Sequence, residues 1–126
     1  MTQICMASTL FGAMTVAAGI DSGVLPPVTG ERILLASNNA AAPELVVPWH
    51  ETPIAASIVA RFDRVIFLND DVHPYHPTKW KPLDEDLPML ERALRSHWRL
   101  GDGPLDLLVD TLHAPPSSTL ARIFHS

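Results

Sequence analysis

Four short apolar runs punctuate the chain: Ile4–Ala7, Arg32–Ala36, Arg64–Leu68 and Leu107–Val109. "RILLAS" and "RVIFLND" are continuous rather than alternating, and rich in Ile, Leu, Val and Phe. Strands of a parallel sheet read this way, because helices cover both of their faces. Each run is followed by small or polar residues: Ser8-Thr9, Ser37-Asn38-Asn39, Asn69-Asp70-Asp71 and Asp110-Thr111. Between the runs the pattern is helical. The first helix is predicted from about Leu10 to Asp21, with Gly23 as its stop. "ETPIAASIVARF" predicts a second from about Thr52 to Phe62, with Ile54, Ile58 and Phe62 on one face and Pro53 in the first turn. "DEDLPMLERALRSHWRLGDG" predicts the third. Its stripe is Leu87, Leu90, Leu94 and Trp98, its cap Asp84 or Asp86, and its end Gly101, with Pro88 near the start. A last helix is predicted over Ser117–Phe124, after "PPSS".

Strand and helix therefore alternate from end to end. Right-handed crossovers turn that order into an α/β fold. The expectation is a three-layer, Rossmann-like open parallel sheet of about four strands in the order 3-2-1-4, forming one domain over residues 1–126. The fourth strand would then be an edge, with unpaired backbone where another chain can dock. Most of the twelve prolines lie outside strand and helix interiors. The long segments 38–52 and 70–83 read as loops, and long ordered loops are often functional.

Composition adds limits. With 47% hydrophobic and 18% charged residues, the chain can bury a core. A formal charge of −5, with nine scattered Lys and Arg, argues against a nonspecific nucleic-acid binder. Cys5 is the one cysteine, so no internal disulfide forms, and a reducing, cytoplasmic setting fits. Within an apolar strand it reads as a buried, inert thiol. The opening "MTQICMASTLFGAMTVAAGIDSG" looks like an export signal because it is small and uncharged. A signal needs a basic start, however, and the first basic residue is Arg32. The run is also too short and too interrupted for a transmembrane segment.

In an open parallel sheet, ligands bind outside the carboxyl ends of the strands. That rule selects a substrate-binding rim of Ser8, Thr9, Asn38, Asn39, Asn69, Asp70, Asp71, His73 and Asp110, with the fourth turn running on to His113. Each of these residue types also caps helices and makes turns, so singly each is better read as structural. No cofactor is expected. "ASTLFGAM" is not a dinucleotide fingerprint, and there is no P-loop. "NDDVHPYHPTKW" offers Asp70, Asp71, His73 and His76 as metal ligands, but Pro74 and Pro77 break the segment, and a solvated loop is preferred to a metal site. Trp49-His50 and Trp80 read as loop anchors, Trp98 as packing, and His97 as solvent-facing or at a helix C-terminus.

Taken together, "TQICMASTLFGAMTVAAGID", "ERILLASNNAAAPE", "FDRVIFLNDDVHPYHPTKW" and "HWRLGDGPLDLLVDTLHAPPSSTLARIF" resemble the amino-terminal region of bacterial alpha-2,8-polysialyltransferase family proteins, most of all the actinobacterial branch. The likeness runs through nearly the whole chain, in order. It implies an inverting, metal-independent sialyltransferase of the glycosyltransferase B (GT-B) architecture, using CMP-sialic acid, whose amino-terminal domain faces a glycan acceptor. In the family the acidic general base follows the region matching "LARIF", and the His-Pro and Ser donor motifs come later. The resemblance therefore implies an acceptor-side part that is inactive alone, completed by a carboxyl-terminal glycosyltransferase domain or by another chain at the edge strand. His73-Pro74 and His76-Pro77 match the donor motif only in letters and are not assigned its role. The alternative is a stand-alone α/β binding or interaction module.

Overall fold

The computed structural model describes residues 1–111 and 113–124, apart from the Glu44 side chain. Its centre is a four-stranded, all-parallel sheet in the order β3-β2-β1-β4. These strands are β1 (Thr2–Ala7), β2 (Arg32–Ala36), β3 (Arg64–Phe67) and β4 (Leu105–Leu108). In the register, Cys5 pairs with Leu34 on one side and Leu108 on the other. The unbroken apolar runs of β1 and β2 have the burial expected of central strands: from Gln3 to Ala7 and from Arg32 to Ala36 every residue is buried. The edge strands are shorter and only partly covered.

Alternate residues feed two cores, because successive side chains in a strand point to opposite faces. Ile4, Met6, Ile33 and Leu35 join Leu94, Trp98, Leu120 and Ile123 on one face. These come from α4 (Leu87–His97) and α5 (Ser117–Ile123), with Trp98 just past the end of α4. Cys5, Ala7 and Leu34 join Ala13, Ala17, Ile58 and Phe62 on the other. Small Ala13 and Ala17 let α1 (Leu10–Asp21) lie close on the sheet. The helix starts where Thr9 accepts the Gly12 N–H at 3.0 Å, and stops before Gly23 at φ +82°.

The second helix departs from its predicted form. Only Ala56–Val59 is α-helical (α2), behind a 3-10 turn at Pro53–Ala55. Ile58 and Phe62 are buried, but Ile54 is 69% exposed. The tighter turn advances about 120° per residue rather than 100°, so a spacing of four across it does not keep one face. The 70–83 segment is also more ordered than a loop. β3 passes directly into α3 (Leu68–Val72), which buries Leu68 and Val72, four residues apart.

At the start of α4, Asp86 holds the N-cap position without a side-chain cap bond, because a 3-10 turn at Asp84–Asp86 leads into the helix. Asp84 pairs with Arg122 instead. The helix unwinds through Arg99 at φ 57° and Gly101 at φ 72°. β4 begins two residues earlier than its apolar run, at Leu105.

One polar chain crosses the amino-terminal half of the sheet. Buried Arg32 donates from Nε to Gln3 Oε1 at 2.7 Å, and Gln3 Nε2 donates to Asp106 Oδ2 at 2.8 Å. Gln3 thus links a β2 cation to a β4 carboxylate through β1. Cys5 lies beside it, fully buried. Burial pushes its thiol up to about 11; Arg32 lowers it and Asp106 adds to the rise. The thiolate is the nucleophile, so at neutral pH Cys5 is inert, as its apolar setting predicts. No helix among the described residues is long and apolar enough to cross a membrane.

Candidate binding rim at the carboxyl edge of the sheet

Because the four strands are parallel, the turns that follow them open at one edge. The strand order reverses between β1 and β4: the chain moves outward from β1 to β2 and β3, then returns to the far side of β1. The crevice at such a switch point is where open sheets bind ligands. Here it holds Ser8 and Thr9 after β1 and Asp110 after β4. The Ser8 N–H donates to Asp110 Oδ2 at 3.0 Å. A Cβ on Gly12 would sit 3.3 Å from Thr9 Oγ1 and 3.8 Å from Asp110 Oδ1, so the glycine leaves room for the carboxylate over the first turn of α1. The positive end of the α1 dipole faces this group. Asp110 is solvent-exposed and, apart from Ser8, takes no hydrogen bond from a described residue. Its remaining lone pairs can accept further hydrogen bonds.

The next turns are bound up in their own architecture. Asn69 gives both ends of its amide to Asn38: the Asn38 N–H donates to Oδ1 at 2.7 Å, and Nδ2 donates to the Asn38 carbonyl at 2.9 Å. Asn38 Oδ1 accepts the Ala40 N–H at 3.1 Å, and Asn39 Oδ1 accepts the Ser37 hydroxyl at 2.7 Å. These three asparagines do turn chemistry, and the Asn38–Asn69 pair clasps the ends of β2 and β3 together.

Asp71 leaves the rim altogether. α3 carries it to the end of α4, where Oδ2 accepts Trp98 Nε1–H at 2.7 Å and Oδ1 lies 2.9 Å from His97 Nε2. Asp70 and His73 stay exposed at the edge. His76 is held as a strut: Nε2 donates to the Ala40 carbonyl at 2.6 Å and Nδ1 accepts the Thr78 N–H at 3.2 Å. Asp71 and His76, two of the four possible metal ligands, thus have other partners. Of the nine sequence-predicted rim residues, Ser8, Thr9 and Asp110 come together at the switch point.

Sequence reasoning named His50 only as a loop neighbour of Trp49, yet it lies against the rim. Trp49 fixes the loop by donating from Nε1 to the Ser37 carbonyl at 3.1 Å. The His50 ring packs against Phe67 at a tilt of 42°, with centroids 4.8 Å apart. Its side chain is 11% exposed, and Nδ1 is buried without a partner among the described residues. Glu51 lies 3.9 Å from Nε2, too far for a hydrogen bond. Burial lowers the His50 pKa below its ordinary value, against the opposing pull of Glu51 and Asp70.

The folded state thus binds a His50 proton less readily than the unfolded chain. The stability this confers is present above the ordinary histidine pKa of about 6.5 and is lost as pH falls from there through the folded value. Urea unfolding is expected to show stability dropping as pH falls below about 6.5, by at most about 1.4 kcal/mol per pH unit from this one group. His50→Phe, which keeps a ring against Phe67, is expected to flatten that part of the profile. An unchanged slope would rule His50 out as its source. Asp21, whose carboxyl the Arg61 hydrogen bond holds below its ordinary value, acts below this window.

Fold and rim together define an α/β open-sheet domain whose switch point presents a carboxylate on a helix N-terminus. Compared with protein-family models, curated proteins and solved structures, the chain matches none of them.

Proposed function

We propose that this domain is the acceptor-side part of a sialyltransferase-like glycosyltransferase that draws on CMP-sialic acid, with the β1/β4 crevice holding a glycan hydroxyl against Asp110. Two things support this reading: the resemblance of the four sequence segments to polysialyltransferase family proteins, and the sheet order, which suits the amino-terminal half of a GT-B enzyme. The observation that carries it is the Asp110 carboxylate, steadied by the Ser8 amide at the switch point and accepting no other hydrogen bond among the described residues. A carboxylate so placed can accept a hydrogen bond from an acceptor hydroxyl and so orient it.

The rim turns contain no Lys or Arg to hold the departing CMP phosphate. The reading therefore assigns the donor to a second domain, docked along the unpaired outer side of β4. The same lack of a rim cation favours a second reading, a binding module that does no chemistry.

NMR titration of the labelled chain with an α2,8-linked disialoside tests the acceptor role. Shifts are expected at the Ser8, Thr9 and Gly12 amides. Asp110→Asn keeps an oxygen for the Ser8 N–H but loses the charge, and is expected to bind about tenfold more weakly. Shifts elsewhere only, or none, would end the acceptor reading. CMP release from CMP-sialic acid by this chain, above a blank without protein, would show that the domain carries its own donor site.

A further inference from the structure

A half-open cavity of about 350 Å3 lies away from the switch point, between the 75–83 segment and the first turn of α4. Its volume is at the lower end of small-molecule sites, roughly 300–1,000 Å3. Trp80, almost buried, forms part of its wall, and Tyr75, Leu83 and Met89 stand around it, each more than half exposed. Large apolar groups left exposed around one concavity are unusual on a small acidic domain and mark binding surfaces.

The cavity also concentrates charge. Lys79 and Lys81, the only lysines in the chain, both line it. Neither forms an ion pair among the described residues. Five of the seven arginines, by contrast, donate to side chains or carbonyls of the fold. Asp86 is the one carboxylate in the lining, and Asp84 and Glu85 precede it. Two ammonium groups facing one carboxylate suit a single anionic group, while a polyanion would meet the acidic run.

The segment that carries the lysines is fixed in place. Thr119 donates its hydroxyl to the Trp80 carbonyl at 2.6 Å, and His76 ties the same segment to Ala40. Pro77 is fully buried. A preformed concavity loses little ordering entropy on binding.

We propose that this cavity binds a small aromatic carboxylate, its ring packed among Trp80, Tyr75 and Met89 and its charge held by Lys79 and Lys81. Flat rings and a thioether favour an aromatic body. The proposal is independent of the glycan reading.

The test titrates the labelled chain with 2-naphthoate and with its neutral analogue 2-naphthamide. 2-Naphthoate is expected to shift the Trp80 indole N–H and the amides of Lys79, Lys81 and Met89. 2-Naphthamide, and 2-naphthoate with Lys79→Gln/Lys81→Gln, are each expected to bind about tenfold more weakly. Both lysines are exposed, so the variant should melt like the parent. Equal affinity for the two naphthalenes overturns the proposal even if the variant fails to fold. It is equally overturned by shifts confined to the exposed Phe11–Met14 face of α1, or by no shift at all.

Discussion

Gln3→Leu is expected to lower the unfolding free energy by about 3 kcal/mol, more than its loss of a single neutral hydrogen bond would suggest. Gln3 is buried in the central strand and is the only described side chain that Arg32 Nε reaches. Leucine fits the strand by volume and β-propensity, so the effect isolates the polar chain. Without Gln3, the Arg32 guanidinium keeps the Pro26 carbonyl but loses its link towards Asp106. A buried charge left short of partners costs far more than the lost bond. Replacing both partners of the Arg32–Gln3 bond with apolar residues should recover much of the loss, so Gln3→Leu/Arg32→Met is expected to be more stable than Gln3→Leu alone. Urea unfolding of the four species closes the cycle. If the single change is neutral, or the double change adds a further full penalty, the chain from β2 to β4 is not a coupled unit.

Trp98→Ala is expected to cost about 3–5 kcal/mol, the range for emptying a large core site. Trp98 is 2% exposed and sits where α4 meets the sheet, its ring 6.1 Å from that of Phe124. It also joins separate parts of the fold. Its indole donates to Asp71 on α3, and its carbonyl accepts from Arg64 at the start of β3. Trp98→Phe keeps most of the packing and the backbone contact but removes the indole donor, leaving Asp71 with His97. A loss of about 1–2 kcal/mol is expected there. The difference between the two variants, read by urea unfolding, separates packing from hydrogen bonding. Equal losses would mean that the Asp71 bond, not the filled volume, carries the stability of this corner.

The strands and their order were open to reading because their signals are local. Continuous Ile, Leu and Val runs, ended by Ser, Asn and Asp, have few other interpretations, and right-handed crossovers restrict the order. Ile54 shows where local reading stops. Its spacing to Ile58 is helical, but Pro53 and a 3-10 turn set the phase, and the side chain faces solvent. The 70–83 segment was harder still: Leu68 and Val72 make too short a pattern to announce a helix, and Pro74, Pro77 and Pro82 suggest only loop.

The parallel order brings the four predicted turns to one edge, but not every residue of those turns gathers at the crevice. Ser8, Thr9 and Asp110 meet at the switch point as the parallel order requires. Asn38 and Asn69 bind each other's segments, Asn39 holds its own turn, and Asp71 turns towards Trp98. Asn and Asp in a turn carry the same signal whether they hold a ligand or the turn itself. His50 and the two lysines lacked a signal because the burial of the one and the cavity lined by the others arise only in the fold, which no spacing encodes.

By itself the sequence determined the α/β class, the four parallel strands in their order, and the first helix with its stop at Gly23. These follow from periods of two and 3.6 residues, from turn chemistry and from chain handedness, all of which act over short stretches. Tertiary structure alone decided the partners. Gln3 meets Asp106 across 103 positions, and Ser8 meets Asp110 across 102. Such pairings depend on sheet register and on the direction of each side chain, so they exist only once the strands lie side by side.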